Sequence, residues 1–519
     1  MLQISLGRGT KALSTHNITS SSNALRSGWQ PVIGIEVHAQ IKSRRKLFSD
    51  SFAESVTGEG VSSNDRVSLF DAAFPGTLPK FNRKCLDLAI RTALALRSNL
   101  QHRSSFDRKH YFYPDLPSGY QITQKYSPIA RGGIVELAGS NGKTIRIQQV
   151  QLEQDTAKST VASYSDITRV DLGRAGAALM EIVSEPDMRS PEEAASYVRS
   201  LQALLRAVGA SDGNMELGSM RCDVNVSLSR VGEPFGTRCE IKNLNTVRGL
   251  VVAINAEIER HKKLLEQGLP VPQETRGFDE DTAETFRLRS KEDAPDYRYM
   301  PDPNLPPIII EQDYVERIRS NMPTLPAETR TRLLSKYRLS SRDAEALMNI
   351  DTGADVGFDG EPPPRLGAIA YFESVVQERR DPKIVANWVT HELLGQLSFK
   401  NQNFSDNSLP PERLGELIDA IEDKVITGTS GKLLLRHLLE TRSSGPLSTI
   451  IDTLGLKASF SDLVDLCHTA IEMLPKESEL VAKGNDKVLM KVVGQVMRLS
   501  KGTADAQAVR EELLKQLRK

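Results

Sequence analysis

The sequence predicts an α+β protein, with a mixed strand-and-helix region over residues 31–311, an all-helical region over 312–446 and a small helical tail over 447–519. Three observations predict it. Apolar and polar residues alternate with period two in several short segments of the first region, the mark of half-buried strands. Beyond residue 312, apolar residues recur at helical spacing with only short polar breaks. The chain has 519 residues, enough for three domains at roughly 150 residues each.

Composition narrows the function classes. Hydrophobic residues at 39% and charged residues at 26% fit a folded chain and exclude wholesale disorder. With 67 basic and 67 acidic side chains there is no global field, so a nucleic-acid partner requires a local basic surface. Cys85, Cys222, Cys239 and Cys467 form no CxxC pair, which argues against a zinc cluster and a disulfide framework. The longest apolar runs, such as Ile308–Ile310, fall far short of the roughly 18 residues of a membrane span. Residues 1–30 hold Arg8, Lys11 and Arg26, are rich in Ser and Thr, and precede the first acidic residue, Glu36. Basic, hydroxyl-rich and acid-free, they read as a transit peptide, against the alternative of a disordered tail, and the expected location is the mitochondrial matrix.

The first strand candidate covers 32–40. Ile33, Ile35, Val37 and Ala39 form its apolar side, so Glu36, His38 and Gln40 project together from the other. In 150–155, Val150 and Leu152 leave Gln151, Glu153 and Asp155 opposite. Glu181 lies in 179–183, which is apolar on both sides. Ser190-Pro191-Glu192-Glu193 opens a helix with a cap, a proline at the first position and a glutamate for a capping box. Ala194, Val198, Leu201 and Leu205 continue it to Gly209. In 220–228 the polar set is Arg221, Asp223, Asn225 and Ser227, and in 238–242 it is Arg238, Glu240 and Lys242, with Asn243 next. A second helix is expected from Val247 to Gln267, stopped by Gly268. Helices follow near 313–320, 326–335, 341–349, 366–379, 382–398 and 411–424, with Gly360–Pro364 reading as a linker or insertion.

Polar strand faces often simply meet water. Here Glu36, His38, Glu153, Asp223 and Glu240 come from separate strands, with Asn225 and Asn243 beside them. Hard oxygen donors with one imidazole suit a hydrated Mg²⁺ holding nucleotide phosphates, and Glu181 is a further candidate ligand. Other chemistries lack their motifs. Gly428–Lys432 resembles a phosphate loop, but Ile426 stands where its first glycine belongs and Leu433 where its Ser/Thr belongs, so it reads as a helix boundary. No GxSxG elbow exists, and His391-Glu392 has no second histidine to make HExxH.

Long collinear stretches carry a resemblance. VIGIEVHAQIKSRRKLF (32–48), FDRKHYFYPDLPSGYQITQ (106–124), LEQDTAKS (152–159), SDGNMELGSMRCDVNVS (211–227), EIKNLNTVRG (240–249) and RSKEDAPDYRYMPDPNLPP (289–307) resemble the B-subunit family of aspartyl/glutamyl-tRNA(Asn/Gln) amidotransferases. The likeness runs from residue 31 to the end. It implies an antiparallel-sheet catalytic cradle similar to glutamine synthetase, followed by a helical domain and a tail that help hold tRNA. It implies that ATP and Mg²⁺ serve to phosphorylate the side-chain carboxylate of Glu-tRNA(Gln). Ammonia from a partner amidase subunit then displaces phosphate, and a small third subunit joins the two.

On that footing Glu36, His38, Glu153 and Glu240 are the expected catalytic and metal residues, with Glu181 as a further ligand. Asp223, Asn225 and Asn243 are expected to support substrate or ATP. Lys158, Arg221 and Lys242 are candidates for phosphate contact, against the alternative of surface ion pairing. Tyr111, Tyr113 and Tyr120 are candidates for stacking the tRNA terminus, against ordinary core packing. Residues 483–519 carry nine Lys/Arg against four Asp/Glu, so Lys483, Lys487, Lys491, Arg498 and Lys501 are expected to contact tRNA phosphates. Three features depart from relatives. Gln154 replaces a glutamate, Pro295 a histidine, and Ser49, Ser51, Ser68 and Asp71 stand where some bacterial members hold zinc with cysteines. A noncatalytic tRNA-holding scaffold, or a ligase acting on a small free carboxylate, are the competing functions.

Overall fold

The computed structural model describes residues 28–53, 64–137, 142–161, 167–290, 296–351, 356–361, 366–377, 379–441, 445–458, 463–485, 487–500 and 502–518. The expected leader lies almost wholly outside the described residues, as do Pro295 and Lys501. Mixed strands and helices make the chain α+β. Two compact units divide it: residues 1–326 with 356–363, and 327–355 with 364–519.

In the first unit the main elements are β1 (Trp29–Gln40), α1 (Arg83–Ala95), β2 (Asp107–His110), β3 (Tyr120–Thr123), β4 (Thr144–Gln154), β5 (Ala178–Ser184), α2 (Pro191–Ala207), β6 (Met220–Arg230), β7 (Cys239–Leu244), α3 (Val247–Glu266), β8 (Glu274–Asp279), β9 (Glu284–Ser290) and α4 (Gln312–Arg319). One sheet runs β9-β8-β7-β6-β1-β5-β4 and continues through the short strands Ala130–Arg131 and Asn99–Leu100, with Ile134–Glu136 also on β4. Its neighbours are antiparallel except β7 and β8, which run parallel. The expectation of a wholly antiparallel sheet is corrected at that pair. α3 connects the two strands, and a helical crossover returns the chain to start the next strand in the same direction.

Alternation decides which face is dry. Ile33, Ile35, Val37 and Ala39 of β1 and Cys222, Val224 and Val226 of β6 are fully buried, and α3 packs on β6 and on α2. The other face of these strands therefore carries their polar set. α2 begins where expected: Ser190 Oγ accepts from the Glu193 N–H at 3.2 Å. Glu193 Oε2, however, accepts from the Arg189 N–H (2.7 Å), one residue before the cap, so only half of the expected box forms.

Two boundaries differ from the sequence reading. α4 belongs to the first unit, because Val315 and Ile318 join its core and the Tyr314 hydroxyl donates to Asp87. The division expected after 311 thus falls after 326. Gly360 and Glu361, the described part of the stretch read as a linker or insertion, also dock there: Arg44 donates to Glu361 Oε2 at 2.7 Å and Arg91 to the Gly360 carbonyl at 3.1 Å.

The second unit is helical from Pro326–Ser335, at the division, through 341–351, 368–376, 382–399, 411–422 and 428–441, close to expectation. Gly428–Lys432 opens a helix, and Glu392 lies in a wide turn paired with Lys432 at 2.6 Å. Ile450, Ile451 and Leu456 share an apolar cluster with Leu333–Leu439, while Cys467–Leu513 build a separate one. The tail core therefore starts later than residue 447.

The zinc positions of some relatives hold something else. Lys46 and Asp71 are fully buried side chains paired at 3.0 Å, and Asp71 Oδ2 also accepts from Ser49 Oγ (3.2 Å) and the Ser68 N–H (3.0 Å). Asp71→Ala leaves an ammonium buried without its countercharge and is expected to destabilise the chain by about 3–5 kcal/mol. The double variant Lys46→Met/Asp71→Leu is expected to recover most of that loss in urea melts.

Candidate functional site

Register aligns the polar face. Glu36 stands opposite Asp223, His38 opposite both Arg221 and Glu181, and Asn225 opposite Glu240. Glu181 faces Gln151, and Leu179 faces Glu153. A single face of β7, β6, β1, β5 and β4 thus gathers acids, amides, one imidazole and their cations.

At its centre, one donor atom each from His38, Glu153 and Glu181 lie within 4.8 Å of one another. Donors on opposite sides of a Mg²⁺ ion stand about 4.2 Å apart, so the set is close to what one ion requires. Gln121 Nε2 donates to Glu153 Oε1 (2.6 Å) and Gln151 Nε2 to Glu181 Oε2 (2.6 Å), which fixes both carboxylates. His38 Nδ1 is buried without a partner. Burial, and next the Arg221 guanidinium, push His38 down, keeping its imidazole neutral with a lone pair to offer. Burial and the charges of Glu153 and Glu36 push the Glu181 carboxyl up to about 8. Crowded acids and an orphaned imidazole nitrogen are what a cation would satisfy.

A charge network borders this cluster. Asp223 Oδ2 accepts from Lys242 Nζ at 2.6 Å and lies 3.9 Å from His38 Nε2. Its Oδ1 accepts from the Asn243 N–H at 2.9 Å. Burial would raise the Asp223 carboxyl, but the Lys242 ammonium and the Asn243 N–H outweigh it and hold it below its ordinary value. Burial likewise works against the Lys242 ammonium, and Asp223 and Glu240 overcome it. Arg221 reaches Asp155 Oδ1 at 3.4 Å. Asn225 Nδ2 donates to Glu36 Oε1 at 3.1 Å, while burial and the Glu240 charge push Glu36 up. Beside Glu36 and Asn225 opens a cleft of about 320 Å³, lined also by Gly34, Ser227, Phe235 and Arg238. Gly236 on its rim has no room for a side chain, since a Cβ would lie 2.2 Å from the Leu228 carbonyl oxygen.

The structure brings together His38, Glu153 and Glu181. Glu36 and Glu240 share their face but stand outside the three-donor cluster, Glu240 being engaged by Lys242 (3.0 Å) and Thr275 Oγ1 (3.2 Å). Asn243 contributes its backbone: its side chain is exposed, and its φ of 58° marks a bulge in the β6–β7 pairing that Asn tolerates. Lys158 is not brought to the cluster. It is exposed on a separate hairpin, opposite Asp171. In the tail, Lys483 pairs with Glu479 (2.6 Å) and Lys491 with Glu477 (2.5 Å), so the expected basic stretch is partly neutralised; Lys487 and Arg498 have no acidic partner among the described residues.

Sequence reasoning missed Gln121, Lys109, Tyr297 and Tyr299. The Lys109 ammonium lies 5.8 Å from the centre of the Tyr111 ring and 5.0 Å from that of Tyr297. Burial opposes its charge, but Glu153 and the tyrosines raise it. Tyr111 packs edge-on to Tyr113 and Tyr297. The four-residue alternation of β3 was the one local signal for Gln121; the tyrosines come from a loop nearly 180 residues further on.

Fold and cluster define a class: an α+β chain whose sheet face presents a hard-donor set fit for a divalent cation. Comparison then gives the family. Residues 31–316 match the family described as the GatB/GatE catalytic domain, and residues 370–517 match the GatB domain. The chain is 56% identical to the protein named as the B-subunit of mitochondrial glutamyl-tRNA(Gln) amidotransferase in Laccaria bicolor, over 94% of this chain and 92% of that one. It is 46% identical to the protein of the same name in Mycosarcoma maydis (95% and 87% covered). It is also 43% identical to the aspartyl/glutamyl-tRNA(Asn/Gln) amidotransferase B-subunit of Rickettsia bellii (94% and 98%). The chain belongs to the amidotransferase B-subunit family.

Proposed function

We propose that the chain is the ATP-dependent subunit of a mitochondrial glutamyl-tRNA(Gln) amidotransferase, a carbon–nitrogen ligase that takes its amide nitrogen from glutamine. The observation that carries this is the convergence of His38, Glu153 and Glu181 on one sheet face beside a ligand-sized cleft, in a chain so similar throughout its length to a protein of that name. The polar face serves as the floor of a cradle of the glutamine-synthetase kind.

The chemistry follows from the substrate. A carboxylate cannot expel oxide, so its oxygen first attacks the terminal phosphorus of ATP and ADP departs. Ammonia then attacks the acyl carbon, phosphate leaves with the C–O bond electrons, and the nitrogen loses a proton to give Gln-tRNA(Gln). Mg²⁺ bound by His38, Glu153 and Glu181 would neutralise charge on the transferring phosphoryl group. Gln121 and Gln151 hold two of those donors at fixed positions, and Lys242 holds Asp223 ionised beside His38. Lys109, beside the tyrosines and within the field of Glu153, supplies a further positive charge near the cluster.

Ammonia comes from a partner amidase subunit, a small third subunit ties the assembly, and the helical tail meets tRNA through residues such as Lys487 and Arg498. In the assembled complex, ADP release is expected to require Glu-tRNA(Gln) and not free glutamate. Equal ADP release with free glutamate would replace this reading with that of a small-molecule ligase, and tRNA binding without any ADP release would leave a scaffold.

A further inference from the structure

The tail core from Cys467 to Leu513 is separate from the apolar cluster that ends at Leu456, and the tail helices pack on one another. Hydrogen bonds tie this core to the helices before it, and they meet at one short segment, 425–430. Ile426 pairs with Lys457 in an isolated bridge, and the Ala458 N–H donates to the Val425 carbonyl at 2.9 Å. These contacts fix the chain just before it enters the tail. The tail then returns to the same place. The Gly502 carbonyl accepts from the Thr427 hydroxyl at 2.6 Å and from the Ser430 hydroxyl at 3.3 Å.

Thr427 and Ser430 are buried, so a bond lost here leaves a carbonyl or hydroxyl unsatisfied away from water. Thr427 also caps the helix Gly428–Thr441, its Oγ1 accepting from the Ser430 N–H at 3.1 Å. The stretch that resembles a phosphate loop in sequence thus spends its hydroxyls on the tail backbone. The approach is close. Gly502 closes the turn after the helix Leu489–Leu499 with a φ of 83°, its N–H donating to the Met497 carbonyl at 2.9 Å. A Cβ there would stand 2.7 Å from Thr429 Cγ2, so glycine suits both the left-handed backbone and the contact. The helix gripped in this way is the one that carries Arg498, four residues before Gly502, with Lys487 just ahead of it.

We propose that Thr427, Ser430 and Gly502 form a latch that sets the angle of the tail, and with it the place where Lys487 and Arg498 meet tRNA. The proposal rests on the reading of the tail as a tRNA-binding element and adds the residues that position it. Two hydroxyls on one carbonyl fix a direction as well as a distance, because a hydrogen bond weakens steeply off its axis. An apolar contact is non-directional and would let the tail slide. All three are positioning residues, acting on tRNA through the tail.

Spin labels on Glu440→Cys and Arg510→Cys, both exposed positions, report the angle in the assembled complex, the four native cysteines of this chain being buried. Thr427→Val and Gly502→Ala are each expected to broaden the distance distribution. They are also expected to raise the KM for Glu-tRNA(Gln) about tenfold, the scale of one buried bond lost, with kcat and the KM for ATP within twofold of the parent. Thr427→Ser, which keeps the hydroxyl, is expected to match the parent. Adding Thr429→Ser to Gly502→Ala removes the obstructing methyl and is expected to recover part of the loss, an ordering that simple misfolding does not produce. A parent-like distance distribution in both Thr427→Val and Gly502→Ala overturns the proposal. So does a parent-like KM for Glu-tRNA(Gln) in both, when the double variant Lys487→Ala/Arg498→Ala raises it. A parent-like KM in that double variant would instead remove the reading of the tail as a tRNA-binding element.

Discussion

Glu153→Gln in the assembled complex is expected to lower Glu-tRNA(Gln)-dependent ATP cleavage by about 10²–10³-fold, with the fold intact. The substitution keeps the shape of the side chain and its capacity to accept from Gln121 Nε2, and removes one negative charge from a site that is only 4% exposed. A preorganised electrostatic group in a water-poor site contributes on that scale to transition-state stabilisation. His38→Ala is expected to act similarly, because it removes the one nitrogen donor of the cluster. The measurement is single-turnover ADP formation with an unchanged urea midpoint. Parent-like turnover in Glu153→Gln would remove the residue from the chemistry.

The largest stability effect is expected at Glu257, which has no catalytic part. Its carboxylate is fully buried and accepts from Arg260 Nη2 (2.6 Å), His261 (3.0 Å) and Thr285 (2.8 Å). With Cys239 and His261 it forms a group of metal-ligand type, yet Arg260 and Arg276 already supply the positive charge an ion would bring. Glu257→Ala leaves those cations and His261 without their shared partner, and a loss of about 3–5 kcal/mol is expected in urea melts. The pH dependence has a definite sign. Burial would raise this carboxyl, but its bonds to His261 and Arg260 outweigh burial and hold it well below the ordinary carboxylate range. Its contribution is therefore complete above the ordinary carboxylate pKa and is lost as pH falls from there through the lower, folded value. The gap in midpoint between the parent and Glu257→Gln is expected to be constant at neutral pH and to narrow below about pH 4.

Strand alternation made much of the site legible. Because side chains on one strand share a face every second residue, Glu36 with His38, and Asp223 with Asn225, are paired by local spacing alone. Register was not legible. That His38 meets Glu181 depends on which strands become neighbours, and β5 lies 138 residues or more from β1. Glu181 was hard to place because its own strand is apolar on both sides, a pattern that hides which residue faces the cleft. Lys158 shows the opposite failure. It follows the β4 motif closely in sequence, but the chain leaves the sheet after Gln154 and carries it onto a separate hairpin. The 311 boundary misplaced α4 because prolines report local breaks, whereas the apolar stripe of Val315 and Ile318 decides which core the helix joins.

Isotope transfer from Glu-tRNA(Gln) tests the central claim most directly. With ¹⁸O in the side-chain carboxylate, each Gln-tRNA(Gln) formed by the assembled complex is expected to deliver one ¹⁸O to inorganic phosphate, and Glu153→Gln and His38→Ala are expected to slow the appearance of labelled phosphate by the same factor of about 10²–10³ as that of ADP. Label transfer at the parent rate in both variants would contradict the assignment of this sheet face as the place where the carboxylate is phosphorylated.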